Sequence, residues 1–208
     1  MLNENERQER LTQLGASDVH KIFNFDNKGA IDLWKEKMGY IERKEISNHS
    51  LTAGNLLEED CLYYFFNAIG EKDFTINERV EHKKIKNFVV STDAIVNGIP
   101  VENKTMKYEN YAKLLKPERT HYIQLHAQMS CLNAERGYLV YNAVDDDDLN
   151  NPLMYQPNTF KQEYYLIEAE QDLIDEIEKR AKYFLWCLEY KRQPSESHYL
   201  SMILGDVL

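Results

Sequence analysis

The chain has 208 residues, a formal net charge of −10, and 43% hydrophobic and 12% aromatic residues. This length suits one domain spanning residues 1–208, and the composition excludes extended disorder. The negative charge opposes indiscriminate binding to nucleic acid, so any such contact must be local.

The cysteines and the apolar runs narrow the protein class further. The N-terminus lacks the apolar core of a signal peptide, and no run reaches the roughly eighteen apolar residues of a membrane span. We therefore expect a cytoplasmic protein without membrane contact. Three widely separated cysteines, Cys61, Cys131 and Cys187, argue against a disulfide framework and offer no four-thiolate metal site.

The first third of the chain is predicted to be helical. Met1 to Gln13 is polar and helical or frayed, and Ser17 then resembles the N-cap of a short helix. A second helix over Ala30 to Gly39 ends at its glycine, and a charged connection, Glu42 to His49, follows. Apolar residues at helical spacing predict a long amphipathic helix from Leu51 to Ala68.

The rest of the chain alternates strands with helices. In order, the predicted elements are strands over Phe74–Glu81, Asn87–Asp93 and Ile99–Lys104, a helix over Tyr122–Glu135 capped by Thr120, strands over Tyr138–Ala143 and Phe160–Ile167, and a helix over Glu168–Tyr190. The acidic run Asp145 to Asp148 is predicted to be a solvated surface loop. This order predicts an α/β fold with a mixed sheet flanked by helices.

The most informative stretch is a predicted β-hairpin in the middle of the chain. Asn97-Gly98 is a turn signal between two apolar runs. On the second strand, the two-residue side-chain period sends Glu102 and Lys104 to one face, and Asp93 lies near the end of the facing strand. Two carboxylates and an ammonium are therefore expected to meet.

This cluster predicts a divalent metal site. Two ionised carboxylates repel each other without a cation, and hard oxygen ligands suit Mg²⁺, with Mn²⁺ as a substitute. The lysine can hold a water that the metal acidifies, or offset charge on a phosphate oxygen. Because so short a pattern also occurs by chance, the alternative is a hairpin whose Glu102 and Lys104 are simply solvated.

Positive charge is clustered close to the hairpin in sequence. The basic residues are Lys83, Lys84, Lys86, Lys104, Lys107, Lys113, Lys116 and Arg119. Such runs usually form a solvated face, which is the alternative here as well. Beside an acidic metal site, they predict a groove that tracks a nucleic-acid backbone.

Four short motifs, taken in order, give the chain a family resemblance. They are Arg10-(x)6-Ser17-Asp18, Gly54-(x)3-Glu58, Asp93-(x)8-Glu102-Asn103-Lys104 and Tyr122-Ile123-Gln124-(x)3-Gln128-Met129. In this order they resemble the phage lambda exonuclease and YqaJ-type viral recombinase nucleases, which belong to the PD-(D/E)xK superfamily. The likeness covers nearly the whole chain and implies a restriction-endonuclease-like core, with a central mixed β-sheet flanked by helices.

The resemblance implies a set of metal ligands. Asp93 and Glu102 correspond to the two carboxylates that hold the metal, joined by the main-chain carbonyl of Asn103 and by the helical carboxylate of Glu58. Two further acids follow Glu58, so the spacing leaves open which of the three faces the metal. Asn103 stands where the family usually has an apolar residue, which leaves less to pack against the core.

The resemblance also implies roles around the metal. Lys104 corresponds to the lysine that orients the attacking water, and Gln124 to the glutamine that positions this lysine or the nucleophile. Arg10 and Ser17 match a pair that grips the 5′-phosphate of a DNA end. An arginine fork suits such a terminal phosphate.

The implied activity is that of a Mg²⁺-dependent exodeoxyribonuclease. Such an enzyme digests one strand of linear double-stranded DNA in the 5′-to-3′ direction, in phage-type homologous recombination and DNA end resection. The resemblance further implies a ring-like homotrimer that works beside a single-strand annealing protein, in the host cytoplasm if a phage encodes it. Two alternatives stay open: a metal-dependent endonuclease on the same fold, and a non-catalytic protein that binds DNA ends.

Overall fold

The computed structural model describes residues 9–42 and 49–205, with side chains from residue 56 onward in the second range. Its N-terminal part is helical: residues 9–11 are followed by α1 (Ala16–Val19), a 3₁₀ turn (His20–Phe23), α2 (Lys28–Lys37) and α3 (His49–Ile69). The predicted helices around residues 30–39 and 51–68 are thus confirmed. Most of the predicted N-terminal polar segment and of the charged connection, residues 1–8 and 43–48, lies outside the described residues.

A five-stranded sheet forms the middle of the molecule. Its strands are β1 (Phe74–Glu81), β2 (Val89–Val96), β3 (Ile99–Lys107), β4 (Arg136–Val144) and β5 (Gln162–Glu168). The spatial order follows the chain, with β3 and β4 parallel and the other three pairs antiparallel. A parallel pair needs a long crossover, which α4 (Tyr108–Tyr111) and α5 (Arg119–Leu132) provide. The predicted mixed sheet is confirmed.

Helices cover both faces of this sheet. On one face, Phe65 of α3 packs in a cluster with Val140 of β4. On the other face, Leu125 of α5 packs in a cluster with Leu139 of β4. Because neighbouring strand residues point to opposite faces, β4 contributes to both cores, and the sheet lies between α3 and α5.

The C-terminal part adds a short helix after β4 and two longer helices after β5. The elements are α6 (Asp146–Asn150), a second 3₁₀ turn (Pro152–Met154), α7 (Gln171–Glu189) and α8 (Glu196–Gly205). Ile177 and Phe184 of α7 are buried in the largest apolar cluster, together with residues of α5 and of the N-terminal helices. The sequence predicted α7 but not α8. Within the described ranges, no helix is long and apolar enough to cross a membrane.

Two predicted helix caps are wrong. The N-cap of α1 is Gly15, so Ser17 lies inside the first turn and its side chain caps nothing. The N-cap of α5 is Glu118, ahead of the predicted Thr120, and the helix ends at Leu132. In both cases a residue with good capping chemistry lies at the second position of the helix, and the N-cap residue ahead of it makes no side-chain capping bond.

The acidic run after β4 is also not the predicted loop. Asp145 and Asp148 form a capping box, in which each side chain accepts a hydrogen bond from the other's main-chain N–H, and this starts α6. Lys161 lies beside both carboxylates, with its Nζ 2.6 Å from Asp148. Local hydrogen bonds and one neighbouring lysine therefore stabilise a helix start where a solvated loop was predicted.

Candidate active site

The predicted hairpin is present, and its two strands part at the site. Both residues of the Asn97-Gly98 turn have positive φ, 51° and 79°, as a type I′ turn requires. The ladder between β2 and β3 runs only as far as Ala94 opposite Val101. One residue further on, Asp93 Oδ2 accepts a hydrogen bond of 2.6 Å from the main-chain N–H of Asn103. The Asp93 carboxylate thus lies where the strands separate.

Glu102 is the buried centre of the cluster. Only 1% of this residue is exposed. Its carboxylate contacts the Lys104 ammonium, and its Oε1 also accepts a hydrogen bond of 2.7 Å from the Gln124 carboxamide of α5. The structure therefore brings together the acid, lysine and glutamine that the sequence singled out, from two elements that are distant in the chain.

Gln128 belongs to the same cluster, although the sequence assigned it no role. It is fully buried, and its Nε2 donates both to Glu102 Oε2 and, at 3.0 Å, to the carbonyl oxygen of Ser91 in β2. Gln128 thus bridges β2 and β3 where they part. The available signal was its position four residues after Gln124, which places both amides on one face of α5.

Burial and mutual repulsion set the electrostatics of the cluster. Burial, followed by the charges of Glu102 and Glu58, holds the pKa of Asp93 well above its usual value. Burial alone would lower the pKa of Lys104, but the charge and hydrogen bond of Glu102 outweigh it and raise this pKa. Lys104 therefore stays an ammonium at neutral pH, whereas the acids resist carrying charge together.

Glu58 is the acid of α3 that faces the cluster. It is half-buried, whereas the next two acids, Glu59 and Asp60, are exposed. Burial, followed by the charge of Glu102, raises the pKa of Glu58, with Lys104 opposing the shift. Of the three consecutive acids, Glu58 is thus the one that is partly buried and whose pKa the charge of Glu102 raises.

A buried chain of amides supports Asn103. Its Oδ1 accepts a hydrogen bond of 2.7 Å from Asn142 of β4, whose own Oδ1 accepts one of 2.8 Å from Gln162 of β5. Gln162 also donates to the carbonyl oxygen of Cys61, three residues after Glu58 on α3. These partners satisfy a polar residue where the family usually has an apolar one, and they connect β3 to the helix that carries Glu58.

One cavity of about 280 Å³ joins this cluster to the N-terminal segment, and we call it the site cavity. The predicted residues that line it are Asp93, Glu102, Lys104, Gln124, Arg10 and Ser17. Buried Lys37 also lines it and donates a 2.8 Å hydrogen bond to the carbonyl oxygen of Arg10, which fastens the N-terminal segment in place. Arg79 of β1, which the sequence did not single out, lines the same cavity and hydrogen-bonds Gln13.

The donors at the site fit a hard divalent cation in their chemistry, although their side chains make contacts of their own. Among the described residues, no three acidic, histidine or cysteine side chains already form a ligand group. The oxygens of Glu102 are engaged by Lys104 and by amides of α5, and one oxygen of Asp93 by a main-chain N–H. Burial and the charge of Glu102 nevertheless raise the pKa of Asp93 and of Glu58, and a cation relieves this kind of repulsion.

A mixed sheet between helices, with a carboxylate–lysine cluster at a parted hairpin, is the architecture of a restriction-endonuclease-like fold. Residues 7–135 match the model of the YqaJ-like viral recombinase domain. The chain therefore belongs to this family, as its motifs predicted. A comparison with curated protein sequences finds no match.

Solved structures support the fold. The crystal structure of LHK-Exo in complex with dAMP is 23% identical in sequence to this chain, and the two structures match with a TM-score of 0.75. The match covers 99% of this chain and 100% of the LHK-Exo chain. Another structure of this alkaline exonuclease, from Laribacter hongkongensis, gives 22% sequence identity and a TM-score of 0.72, with 96% of each chain covered. A phage-related exonuclease from Haemophilus somnus 129PT gives 19% sequence identity and a TM-score of 0.61. The match covers 86% of this chain and 96% of that exonuclease.

Proposed function

We propose that this chain is a Mg²⁺-dependent exodeoxyribonuclease that digests one strand of linear double-stranded DNA in the 5′-to-3′ direction. The observation that carries the proposal is one cavity lined by acids and a lysine together with Arg10 and Ser17. Acids that bind a metal ion and a lysine beside them are suited to phosphodiester hydrolysis. The arginine is suited to binding the terminal phosphate of a DNA strand. Membership of a viral recombinase family and the likeness to named exonucleases support the proposal.

The proposed chemistry assigns a task to each side chain. Asp93, Glu102 and Glu58, with the carbonyl of Asn103, would hold the cation. When bound, Mg²⁺ (or Mn²⁺ in its place) supplies an acidified water and charge relief on the leaving oxygen. The ammonium of Lys104, fixed against Glu102, donates a hydrogen bond to the water or to a phosphate oxygen.

The amide and the basic residues have positioning tasks in this proposal. Gln124 keeps the Glu102 carboxylate oriented through its 2.7 Å hydrogen bond. Arg10 and Ser17 bind the terminal 5′-phosphate at the other side of the cavity. A 5′-phosphorylated end should therefore be digested faster than a 5′-hydroxyl end, and equal rates on both would remove these two roles while leaving the nuclease.

The decisive experiment is time-resolved digestion of end-labelled linear duplex DNA with Mg²⁺, Mn²⁺ or chelator. We expect loss of nucleotides from the 5′ end, no reaction with chelator, and a rate lower by about 100-fold or more in Lys104→Ala. The matched control is Lys72→Ala, because Lys72 is an exposed lysine that lines neither the site cavity nor the predicted basic groove. A Lys104→Ala protein as fast as its parent would refute the proposal, and cleavage of closed circular DNA would indicate the endonuclease instead.

The proposed assembly is a ring-like homotrimer that threads duplex DNA and works beside a single-strand annealing protein. This proposal is supported by the family and not by any contact within the chain. The mass of the protein in solution tests it directly, and a monomer at micromolar concentration would contradict the ring.

A further inference from the structure

A second cavity of about 760 Å³ adjoins the site cavity. It lies between the connection of β1 to β2 and the C-terminal half of α7, and we call it the lysine groove after Lys84, Lys86, Lys182 and Lys191, which line it. Lys37 lines both cavities, and the segment from Leu11 to Gln13 passes from one to the other. The two cavities are therefore neighbours on either side of this segment.

The lysine groove is positively charged, whereas the protein as a whole is negatively charged. The chain has a formal net charge of −10, yet the groove collects four exposed lysines and a single exposed acid, Glu189. Within residues 9–42 and 49–205, none of these four lysines has an ion-pair partner. Unpaired cations concentrated on an acidic protein attract a polyanion, and the attraction weakens as salt rises.

The floor of the groove is apolar and aromatic. Ile85, Leu185 and Trp186 line it, and the Trp186 ring centroid lies 5.0 Å from that of Tyr190, which is 63% exposed. Single-stranded DNA can stack its bases on such side chains while lysines follow its phosphates. A duplex keeps its bases inside and presents only phosphates, so its bases cannot stack on this apolar surface.

We propose that the lysine groove binds the DNA strand that remains single when the other strand is digested. The proposal rests on the proposed function for the origin of this strand, but binding itself requires no cleavage. The strand would follow the segment that separates the two cavities, set its phosphates against the lysines and place bases beside the half-buried Trp186 ring, over which Arg192 also lies at 5.9 Å.

The test is the binding of a fluorescent oligodeoxythymidylate with a 5′-hydroxyl end, measured by anisotropy in chelator over a range of salt. We expect Lys84→Ala/Lys182→Ala to weaken binding roughly tenfold and to reduce the salt slope by about 1.4, because each lost phosphate contact contributes about 0.7. The matched control is Lys28→Ala/Lys72→Ala, which removes two exposed lysines that line neither cavity. Unchanged binding by the groove variant would overturn the proposal.

A second measurement does not depend on lysine substitutions. The chain has two tryptophans, and the other one, Trp34, is buried. The oligonucleotide should therefore quench tryptophan fluorescence in the parent but not in Trp186→Phe, which keeps an aromatic ring in place. The absence of quenching in the parent would count against base stacking in the groove.

Two further ligands distinguish other occupants of the groove. A DNA hairpin duplex with a closed end should lose less affinity than the oligonucleotide in Lys84→Ala/Lys182→Ala, and an equal loss would mean that the groove follows duplex DNA. A polyglutamate peptide that binds more tightly than an oligonucleotide of equal charge would indicate an acidic protein partner, and either result overturns the proposal. Single-strand binding without any digestion would instead refute the proposed function alone.

Discussion

At the scale of single residues, Asp93 combines a stabilising hydrogen bond with an unfavourable charge. Burial and the charges of Glu102 and Glu58 raise its pKa, so its ionisation opposes folding. The folded state should therefore lose stability as pH rises from the pKa of an unfolded aspartate toward the raised pKa. Asparagine is neutral at every pH and still accepts the hydrogen bond from Asn103.

We expect Asp93→Asn to raise the stability of the metal-free protein at neutral pH, by about 0.5–2 kcal/mol. The gain should disappear in acid, where the parent carboxyl is protonated too. Thermal melts at neutral and acid pH test this gain and its loss. Melts with and without Mg²⁺ test the role as a ligand, because the variant should also lose the stabilisation that a metal gives by mass action. Asp73→Asn, the same change at an exposed aspartate, is the control and should change neither the stability nor the response to Mg²⁺. A Mg²⁺ response that persists in Asp93→Asn would contradict its role as a ligand.

At the scale of elements, the register of α5 on β4 fixes where its two amides lie. Gly137 of β4 faces Leu125, and a Cβ added at Gly137 would lie 2.7 Å from Leu125 Cδ1 and 2.8 Å from its Cγ. Leu125 is fully buried and adjacent to Gln124, so it can yield only by a rotamer change within a packed core or by a shift of the helix. The glycine therefore permits the close contact that brings Gln124 and Gln128 to Glu102.

Gly137→Ala should destabilise the protein by about 1–3 kcal/mol, the usual cost of overpacking a core. Urea unfolding measures this loss, and nuclease activity should fall with it because the amides shift. Gly29→Ala is the matched control, since the nearest atoms to its added Cβ are at 3.8 Å and helical alanine is favourable. A neutral result for Gly137→Ala would show that α5 is not seated as tightly as these distances require.

The same elements show what the sequence could predict. The hairpin, with its Asn97-Gly98 turn, follows from local chemistry and side-chain alternation, so Asp93, Glu102 and Lys104 could be grouped from the sequence alone. The role of Gln128 could not, because it depends on how α5 crosses two strands that have parted. The predicted helix starts failed because α1 and α5 begin after Gly15 and Glu118, neither of which caps with its side chain, so the nearest residue with capping chemistry was misleading.

At the scale of the whole molecule, α8 is fastened to the N-terminal part of the described chain, at the first 3₁₀ turn and the loop that follows it. Arg180 of α7 donates hydrogen bonds of 2.8 and 3.1 Å to Glu196 of α8, and one of 3.1 Å to the carbonyl oxygen of Ile22. Glu196 also accepts a hydrogen bond from the N–H of Phe25, 171 residues away. The arginine lies 4.5 Å from the ring centroid of Tyr199, so its charge is buried among aromatic rings. Such contacts between distant segments explain why α8 was missed in the sequence.

Glu196→Gln should therefore lower the free energy of unfolding at neutral pH by about 1–2 kcal/mol, because it weakens charge-assisted hydrogen bonds and leaves Glu176 as the remaining carboxylate partner of the largely buried Arg180. Burial would raise the pKa of Glu196, but the hydrogen bonds from Arg180 and Phe25 outweigh it and lower this pKa. The contribution is thus complete above the pKa of an unfolded glutamate and is lost as pH falls through the lowered one. Urea unfolding at several pH values should show parent and variant converging in acid, with exposed Glu189→Gln as the control. A difference that stays constant down to the lowest pH would mean that shape, and not charge, joins the two ends of the chain.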